Sequence, residues 1–172
     1  MQTRLRQSVG LLAVASAAVL FASGCVTEGP VRPEPKPVRR PPNDLRVERV
    51  LLASEAVIDR DRNGYSDTIP VRVQLFGDQN IYPTSVFAPG EFIFTLFDQA
   101  GEQRVQWRVP ADVVARRREM VLGLATHRFL LDVRAGISDE MPAQRFALRA
   151  RFEDERGGAA GTIQDLELVL GR

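Results

Sequence analysis

Apolar and polar side chains alternate with a two-residue period over much of the sequence after residue 44, and this pattern constrains the fold more than any other feature. TIPVRVQLF (68–76) places Val71, Val73 and Leu75 on one side, and RFALRARF (145–152) follows the same period. Because successive side chains of a β-strand point to opposite faces, each stretch predicts a strand with one buried and one exposed face. About seven strands are predicted in this way, at residues 46–57, 68–76, 91–98, 103–109, 127–134, 144–152 and 163–170.

Short strands separated by Gly and Pro turns predict an all-β fold, an antiparallel β-sandwich of immunoglobulin-like or related type. EFIFTLFD (91–98) is apolar on both sides, as in a central strand that is covered on both faces. One short crossing helix is predicted in PADVVARRREMV (110–121), where Pro110 and Asp112 suit the first helical turn. Residues 44–172 are therefore expected to form one β-sandwich domain.

The start of the chain has the order of a secretory signal. Arg4 and Arg6 precede an apolar run over residues 9–21, and small residues then lead to Cys25, the only cysteine. The run is shorter than the about 20 residues that a membrane-spanning helix needs, so residues 1–24 are predicted to be a signal peptide that is removed. A single cysteine in an exported chain has no partner for an internal disulfide.

The sequence ASGC at residues 22–25 resembles the lipobox of bacterial lipoprotein signals. That resemblance implies cleavage before Cys25, a diacylglycerol on its sulfur and an acylated amino terminus, so that several acyl chains hold the protein at a membrane. In lipoproteins of diderm bacteria an aspartate after the cysteine favours the inner membrane, and Val26 therefore implies the outer membrane. An ordinary signal peptide cleaved nearby and an uncleaved anchor are the alternatives.

A proline-rich stretch separates Cys25 from the domain. VTEGPVRPEPKPVRRPPN (26–43) contains six prolines and almost no side chain that a core would bury. Such a segment favours extended polyproline II, so residues 25–43 are predicted to be a linker that reaches up to roughly 55 Å. Its basic residues Lys36, Arg39 and Arg40 are expected to form a solvated charge cluster. Binding of these residues to anionic head groups or to a cell-wall polymer is the alternative.

DRDRNGYSD (59–67) has oxygen-bearing side chains at alternate positions around a glycine that would allow a sharp turn, Gly64. The candidate metal ligands are the side chains of Asp59, Asp61, Asn63 and Asp67 and the carbonyl oxygen of Tyr65. A hard cation such as Ca²⁺ takes six to eight oxygen ligands at about 2.4 Å, which such a loop can supply. Three carboxylates this close repel one another unless a cation or water relieves them. A metal is therefore predicted here.

The loop does not fit an EF-hand, because the twelfth position counted from Asp59 is Pro70, where a bidentate glutamate is needed. It resembles the nine-residue D-x-D-x-[DN]-G-x-x-D calcium loop of integrin-type β-propeller repeats, which joins two strands. The resemblance implies side-chain ligation by Asp59, Asp61, Asn63 and Asp67 and main-chain ligation by Tyr65. The expected role of Ca²⁺ is structural, to lock the hairpin between the first two strands, and a calcium site that recruits a ligand is the alternative. An ordinary polar hairpin turn is the alternative, and Arg60 and Arg62 reduce the local negative potential.

Other candidate sites carry weaker signals. His127 is the only histidine, so a His-based zinc site or a Ser-His-Asp triad could use at most this one residue. A structural role is therefore expected for His127. The arginines of RFALRARF are expected to face Asp165 and Glu167 of the next strand. The alternative to a non-enzymatic protein is a hydrolase of envelope polymers, with Asp98 or Asp132 as a catalytic carboxylate.

Together these patterns predict a non-enzymatic, exported lipoprotein that presents a calcium-stabilised β-sandwich as an envelope binding or structural module. Its partners would be a membrane, through the lipid anchor, and an envelope protein or polysaccharide. An assembly subunit of an envelope complex is a further alternative. Acidic side chains slightly outnumber basic ones in residues 44–172, so nucleic acid is not an expected partner.

Overall fold

The computed structural model describes residues 40–42 and 44–172. The predicted signal peptide (1–24), Cys25 and most of the predicted linker (25–43) lie outside the described residues. Nine strands, one α-helix and one 3-10 turn form the regular structure of the described part: β1 (Arg49–Ser54), β2 (Thr68–Phe76), β3 (Gly90–Phe97), β4 (Gln103–Val109), α1 (Ala111–Arg116), β5 (Arg118–Val121), β6 (Leu124–Asp132), the 3-10 turn (Val133–Ala135), β7 (Gln144–Asp154), β8 (Ala159–Gly161) and β9 (Leu166–Leu170).

The strands pair into two antiparallel sheets. The first sheet has the order β1-β2-β6-β5, and the second has the order β4-β3-β7, with β8 and β9 paired one after the other along the outer edge of β7. In chain order this is the immunoglobulin arrangement A-B-E-D against C-F-G, with β4 added beside strand C. The predicted antiparallel β-sandwich is confirmed, and β3 pairs with a strand on each side, as EFIFTLFD predicts. The predicted cover on both faces is wrong, because burial alternates along β3 and only one face is fully buried.

The core lies between the inner faces of the two sheets, and the two-residue period of the sequence selects it. In β2 the apolar residues of the period are fully buried, and the residues between them are only half-buried. The second sheet contributes Phe92, Phe94, Leu96, Leu148 and Phe152. Each such side chain contributes about 1.5–3 kcal/mol when it leaves water. Every residue of the described core falls between Leu45 and Leu170, so residues 40–172 form one unit with its own core.

The predicted helix is shorter than the sequence indicates. It ends at Arg116, and Arg118–Val121 form the edge strand β5 instead. The reason lies at Leu122 and Gly123, whose φ angles of 51° and 81° are both left-handed and make a two-residue type I′ turn. This turn pairs β5 with β6, which begins at Leu124. The helix still crosses between the sheets, because it connects β4 to β5.

The strand register defines two ends of the first sheet. At the entry end Arg49 faces Phe76 across β1 and β2, and β6 begins nearby. The N–H of Glu48 donates to Phe76 O (2.9 Å), so the chain comes into the domain here. At the loop end Thr68 faces Asp132 across β2 and β6. The length of β6 separates the two ends, which therefore lie about 26 Å apart.

Candidate metal centre

The acidic loop 59–67 connects β1 to β2 at the loop end. Ile58 N–H donates to Thr68 O (2.9 Å), and the N–H groups of Asp67 and Thr68 both donate to Ile58 O (3.0 Å). This bridge closes the residues between Ile58 and Thr68 into a loop whose first and last members are neighbours. The loop therefore joins the first two strands, as the sequence predicts.

Three carboxylates of the loop converge. One oxygen from each of Asp59, Asp61 and Asp67 lies within 4.8 Å of the other two. Oxygens that share one Ca²⁺ at about 2.4 Å are at most about 4.8 Å apart, so the three groups are close enough to hold one ion. A donor set made only of oxygens suits a hard cation such as Ca²⁺ rather than Zn²⁺.

Main-chain N–H groups orient the polar side chains of the loop. Asp59 accepts hydrogen bonds from the N–H groups of Asn63 (3.2 Å) and Gly64 (2.8 Å), and Asn63 Oδ1 accepts from Tyr65 N–H (2.8 Å). Gly64 has φ 92°, a left-handed conformation that glycine adopts without steric cost, and this provides the predicted sharp turn. Of the five predicted ligands, Asn63 and Tyr65 thus lie in the same hydrogen-bonded turn as the three carboxylates.

Asp67 is the buried member of the cluster, with no exposed surface. Its Oδ1 accepts from Thr68 Oγ1 (2.6 Å) and from Arg60 N–H (3.2 Å), and its Oδ2 accepts from Asp61 N–H (3.3 Å). Burial alone would raise the pKa of the Asp67 carboxyl, but these hydrogen bonds and the Arg134 guanidinium hold that pKa below its usual value. Asp67 is therefore a carboxylate at neutral pH.

Arg134 brings a positive charge to the same carboxylates. Its Nη1 lies 2.8 Å from Asp61 Oδ2 and 3.5 Å from Asp67 Oδ2. Its Nε and Nη2 bind Asp132 at 3.0 and 2.7 Å, and this pair lowers the pKa of the Asp132 carboxyl. Asp132 faces Thr68 in the register of β2 and β6, which places Arg134 beside the loop. Nη1 therefore competes with an ion in the loop for the oxygens of Asp61 and Asp67.

Two residues beside the loop are missed by sequence reasoning, Arg134 and Asp139. Asn63 Nδ2 donates to Asp139 Oδ2 (2.9 Å), although Asp139 lies 76 residues further along the chain. Asp139 is buried. Neither residue has a local signal, because each stands in a polar segment after a strand. Only the pairing of two predicted strands, 68–76 and 127–134, could have placed Arg134 here, and that register does not follow from either strand alone.

The single histidine has a structural environment. His127 is fully buried, as a structural role requires. Its ring lies with centroid separations of 5.3, 5.5 and 6.3 Å from three aromatic rings: Phe87, Phe92 and Phe129. These rings belong to the core and to the connection before β3, so the imidazole serves as one member of an aromatic cluster.

Asp98 and Asp132, the carboxylates of the hydrolase alternative, are both held by structural partners. Asp98 Oδ1 accepts two main-chain N–H groups (2.9 and 3.0 Å) within the turn after β3. Asp132 has a lowered pKa, whereas a general acid at neutral pH needs a raised one. The predicted pairing of RFALRARF with the last strand is confirmed by the register of β7 with β9. Of the predicted ion pairs, Arg149 binds Asp165, with Nη2 and Oδ2 2.7 Å apart, whereas Glu167 faces Ala147.

The fold and the loop together place the protein in the class of immunoglobulin-like antiparallel sandwiches. Its first hairpin carries an acidic loop in which all the candidate ligand atoms are oxygens. No family model, curated protein or solved structure matches the chain. Within residues 40–42 and 44–172, no helix has both the length and the apolar character to span a membrane.

Proposed function

We propose that this protein is a non-enzymatic lipoprotein, exported and anchored in the outer membrane through Cys25, whose β-sandwich is stabilised by Ca²⁺ in the loop 59–67. It serves as an envelope binding or structural module. The observation that carries the metal site is the convergence of oxygens from Asp59, Asp61 and Asp67 within 4.8 Å. The order of charged, apolar and small residues before Cys25 supports export and the lipid anchor.

Calcium would stabilise the fold by removing charge repulsion from the loop. Arg134 offsets only part of the negative charge of Asp61 and Asp67, because the same guanidinium is also paired with Asp132. A cation held by the five predicted ligands would neutralise the remainder and fix the β1–β2 hairpin. Exported modules of this kind bind Ca²⁺ at about 10⁻⁴ to 10⁻³ M, which is sufficient for a structural ion outside the cytoplasm.

The direction of the pKa shifts of the carboxylates supports a binding or structural module over a hydrolase. In the described part of the chain, every carboxylate with a shifted pKa is shifted downward: Asp67, Asp132, Asp154 and Asp165. A catalytic acid at neutral pH needs the opposite shift, since it must hold a proton until it donates it. These groups are instead held ionised by hydrogen bonds and arginines.

The metal site is tested by the melting temperature of residues 40–172 in EDTA, in calcium and in magnesium. At one hundred times Kd, a ligand that binds only the folded state adds about 2.7 kcal/mol, so a calcium-selective rise is readily measured. The double variant Asp61→Ala with Asp67→Ala should lose this rise. Asp98→Ala, which removes a turn aspartate outside the loop, is the matched control and should keep it. If calcium raised the melting temperature equally in the wild type and the double variant, the proposed calcium site in the loop would be wrong.

The anchor is tested separately in the full chain. Expressed in a diderm bacterium, the wild type should incorporate labelled fatty acid and fractionate with the outer membrane. Cys25→Ala should lose both properties, because the sulfur that carries the diacylglycerol is gone. Recovery of unlabelled wild-type protein in the soluble periplasmic fraction would contradict the anchor and leave the metal site unaffected.

A further inference from the structure

The tip of the β5–β6 hairpin is apolar, although hairpin tips usually carry polar turn residues. Residues 120–124 read MVLGL, so no polar side chain lies within the turn or directly beside it. Leu122 is 99% exposed and Met120 is 62% exposed, the two highest values among the large apolar side chains of the described residues. Single exposed apolar residues are normal, but two on one projecting tip form a surface that can bind.

The backbone at this tip disfavours the leucine that occupies it. Leu122 has φ 51°, and the first position of a type I′ turn favours Asn, Asp or Gly. Its side chain gains nothing from the fold in return, because it is almost completely exposed to solvent. Residues in such left-handed conformations concentrate at sites of binding and catalysis. The leucine is therefore better explained by something outside the domain that buries it.

Basic side chains stand behind the apolar tip. Three consecutive exposed arginines precede it: Arg116, Arg117 and Arg118. Arg116 pairs with Asp112 (2.8 Å), whereas Arg117 makes no ion pair with any described residue. Arg118 lies four residues before Leu122, or about 13 Å behind the tip. When an apolar tip enters a bilayer interface by about 5–10 Å, cations at that height meet anionic head groups.

The chain also comes into the domain beside this hairpin. Pro41 and Pro42 line the same surface groove as Phe87, and the Arg118 guanidinium stands over the Phe87 ring, 5.4 Å from its centroid. The entry end of the first sheet is thus the end that carries the hairpin. An anchor at Cys25 would bring this end of the domain nearest to the bilayer, and this step rests on the proposed function.

We propose that the β5–β6 hairpin is a membrane-docking tip. Leu122 and Met120 enter the interface of an anionic bilayer, and Arg117 and Arg118 contact lipid phosphates. A tethered domain that docks in this way lies against the membrane instead of ranging over the length of its linker. The loop 59–67, about 26 Å away at the other end of the first sheet, then faces away from the bilayer.

Vesicle binding of residues 40–172 in EDTA tests the proposal without the lipid anchor or calcium. Flotation with phosphatidylglycerol–phosphatidylcholine vesicles should recover the wild type, and vesicles of phosphatidylcholine alone should recover much less. Leu122→Asn should weaken binding at least about tenfold, because it removes the apolar side chain that enters the interface. Arg117→Gln should weaken binding to the anionic vesicles only.

Two features of these variants separate docking from folding. Asparagine suits the left-handed turn, so Leu122→Asn should be at least as stable as the wild type while it binds less. Leu130→Asn is the matched control, because Leu130 is an exposed leucine (53%) of β6 near the loop end, and this variant should bind like the wild type.

Equal binding of the wild type and Leu122→Asn, or no binding of the wild type to anionic vesicles, would overturn the proposal. Dimerisation of the wild type that Leu122→Asn abolishes would also overturn it, since the tip would then belong to a contact between two copies. The fragment lacks Cys25 and the buffer lacks calcium. These outcomes therefore leave the proposed anchor and metal site to their own experiments.

Discussion

Replacing His127 with leucine should remove most of the acid sensitivity of the domain between pH 7 and pH 5. His127 is fully buried, and neither ring nitrogen makes a hydrogen bond of normal length and angle to the described residues. Burial, with a smaller effect from the charge of Arg118, lowers the pKa of His127 from 6.5 to about 4, against a weaker opposing effect of the Val73 main chain. The folded state therefore keeps the imidazole neutral at pH values where the unfolded chain protonates it.

The sign and the size of the effect follow from proton linkage. Between pH 6.5 and about pH 4 the unfolded state binds more protons at His127 than the folded state does, so the free energy of unfolding falls as the pH falls. The whole shift corresponds to about 3 kcal/mol, of which about 2 kcal/mol is lost by pH 5. Asp67 and Asp132, whose pKa values are lowered from 3.8, lose their contribution only at more acidic pH. A measurement at pH 5 therefore isolates the histidine.

Urea denaturation of wild type and His127→Leu at pH 7 and pH 5 measures this contribution. The wild type should lose about 2 kcal/mol between the two pH values, and the variant should lose much less. At pH 7 the variant should be as stable or more stable, because an apolar side chain replaces two unsatisfied nitrogens among phenylalanine rings. His127→Gln, which is polar but does not titrate, separates the effect of charge from that of polarity. The same loss in wild type and His127→Leu would refute the reasoning.

Three further substitutions test the loop, the register and the turn. Arg134→Gln should tighten calcium binding by roughly five- to tenfold in a calorimetric titration, because it removes a guanidinium that contacts Asp61 and Asp67. An unchanged Kd would mean that no ion binds between these carboxylates. Gly90→Ala should lower the free energy of unfolding in urea by about 2–4 kcal/mol, since a Cβ there would overlap the main chain and a ring of β7. A denaturation midpoint equal to that of the wild type would contradict the β3–β7 register. Leu122→Asn should add about 1 kcal/mol, and a loss would mean that the turn is not left-handed.

The sandwich could be predicted because burial follows the sequence period residue by residue. In β2, Val71, Val73 and Leu75 are buried, and Arg72 and Gln74 are not. The β5–β6 hairpin could not be predicted in the same way. Arg, Glu and Met are good helix formers, and a leucine in the first turn position carries no hairpin signal. The pairing of β5 with β6 prevails there over the local helix preference, and it depends on contacts far along the chain.

The loop shows the same division between local and distant information. The convergence of the Asp59, Asp61 and Asp67 carboxylates could be predicted, because side-chain spacing within a short loop is a local property. Arg134 and Asp139 could not, because they reach the loop only through the register of β2 with β6 and the 3-10 turn that follows. The charge balance of the cluster therefore depends on tertiary structure, although its three carboxylates belong to one short stretch of sequence.

Protonation of His127 should first open the edge of the first sheet that carries the apolar hairpin. Arg118 faces His127 in the register of β5 and β6, so an imidazolium would place two positive charges across that pair. β5 is a short edge strand held on one side only, and edge strands open locally at lower free energy than central ones. Hydrogen exchange at pH 5, corrected for intrinsic rates, should therefore lose protection in β5 more than in β1, the opposite edge of the same sheet. Equal losses at both edges would mean that acid acts through global unfolding, and the hairpin would then have no pH response of its own.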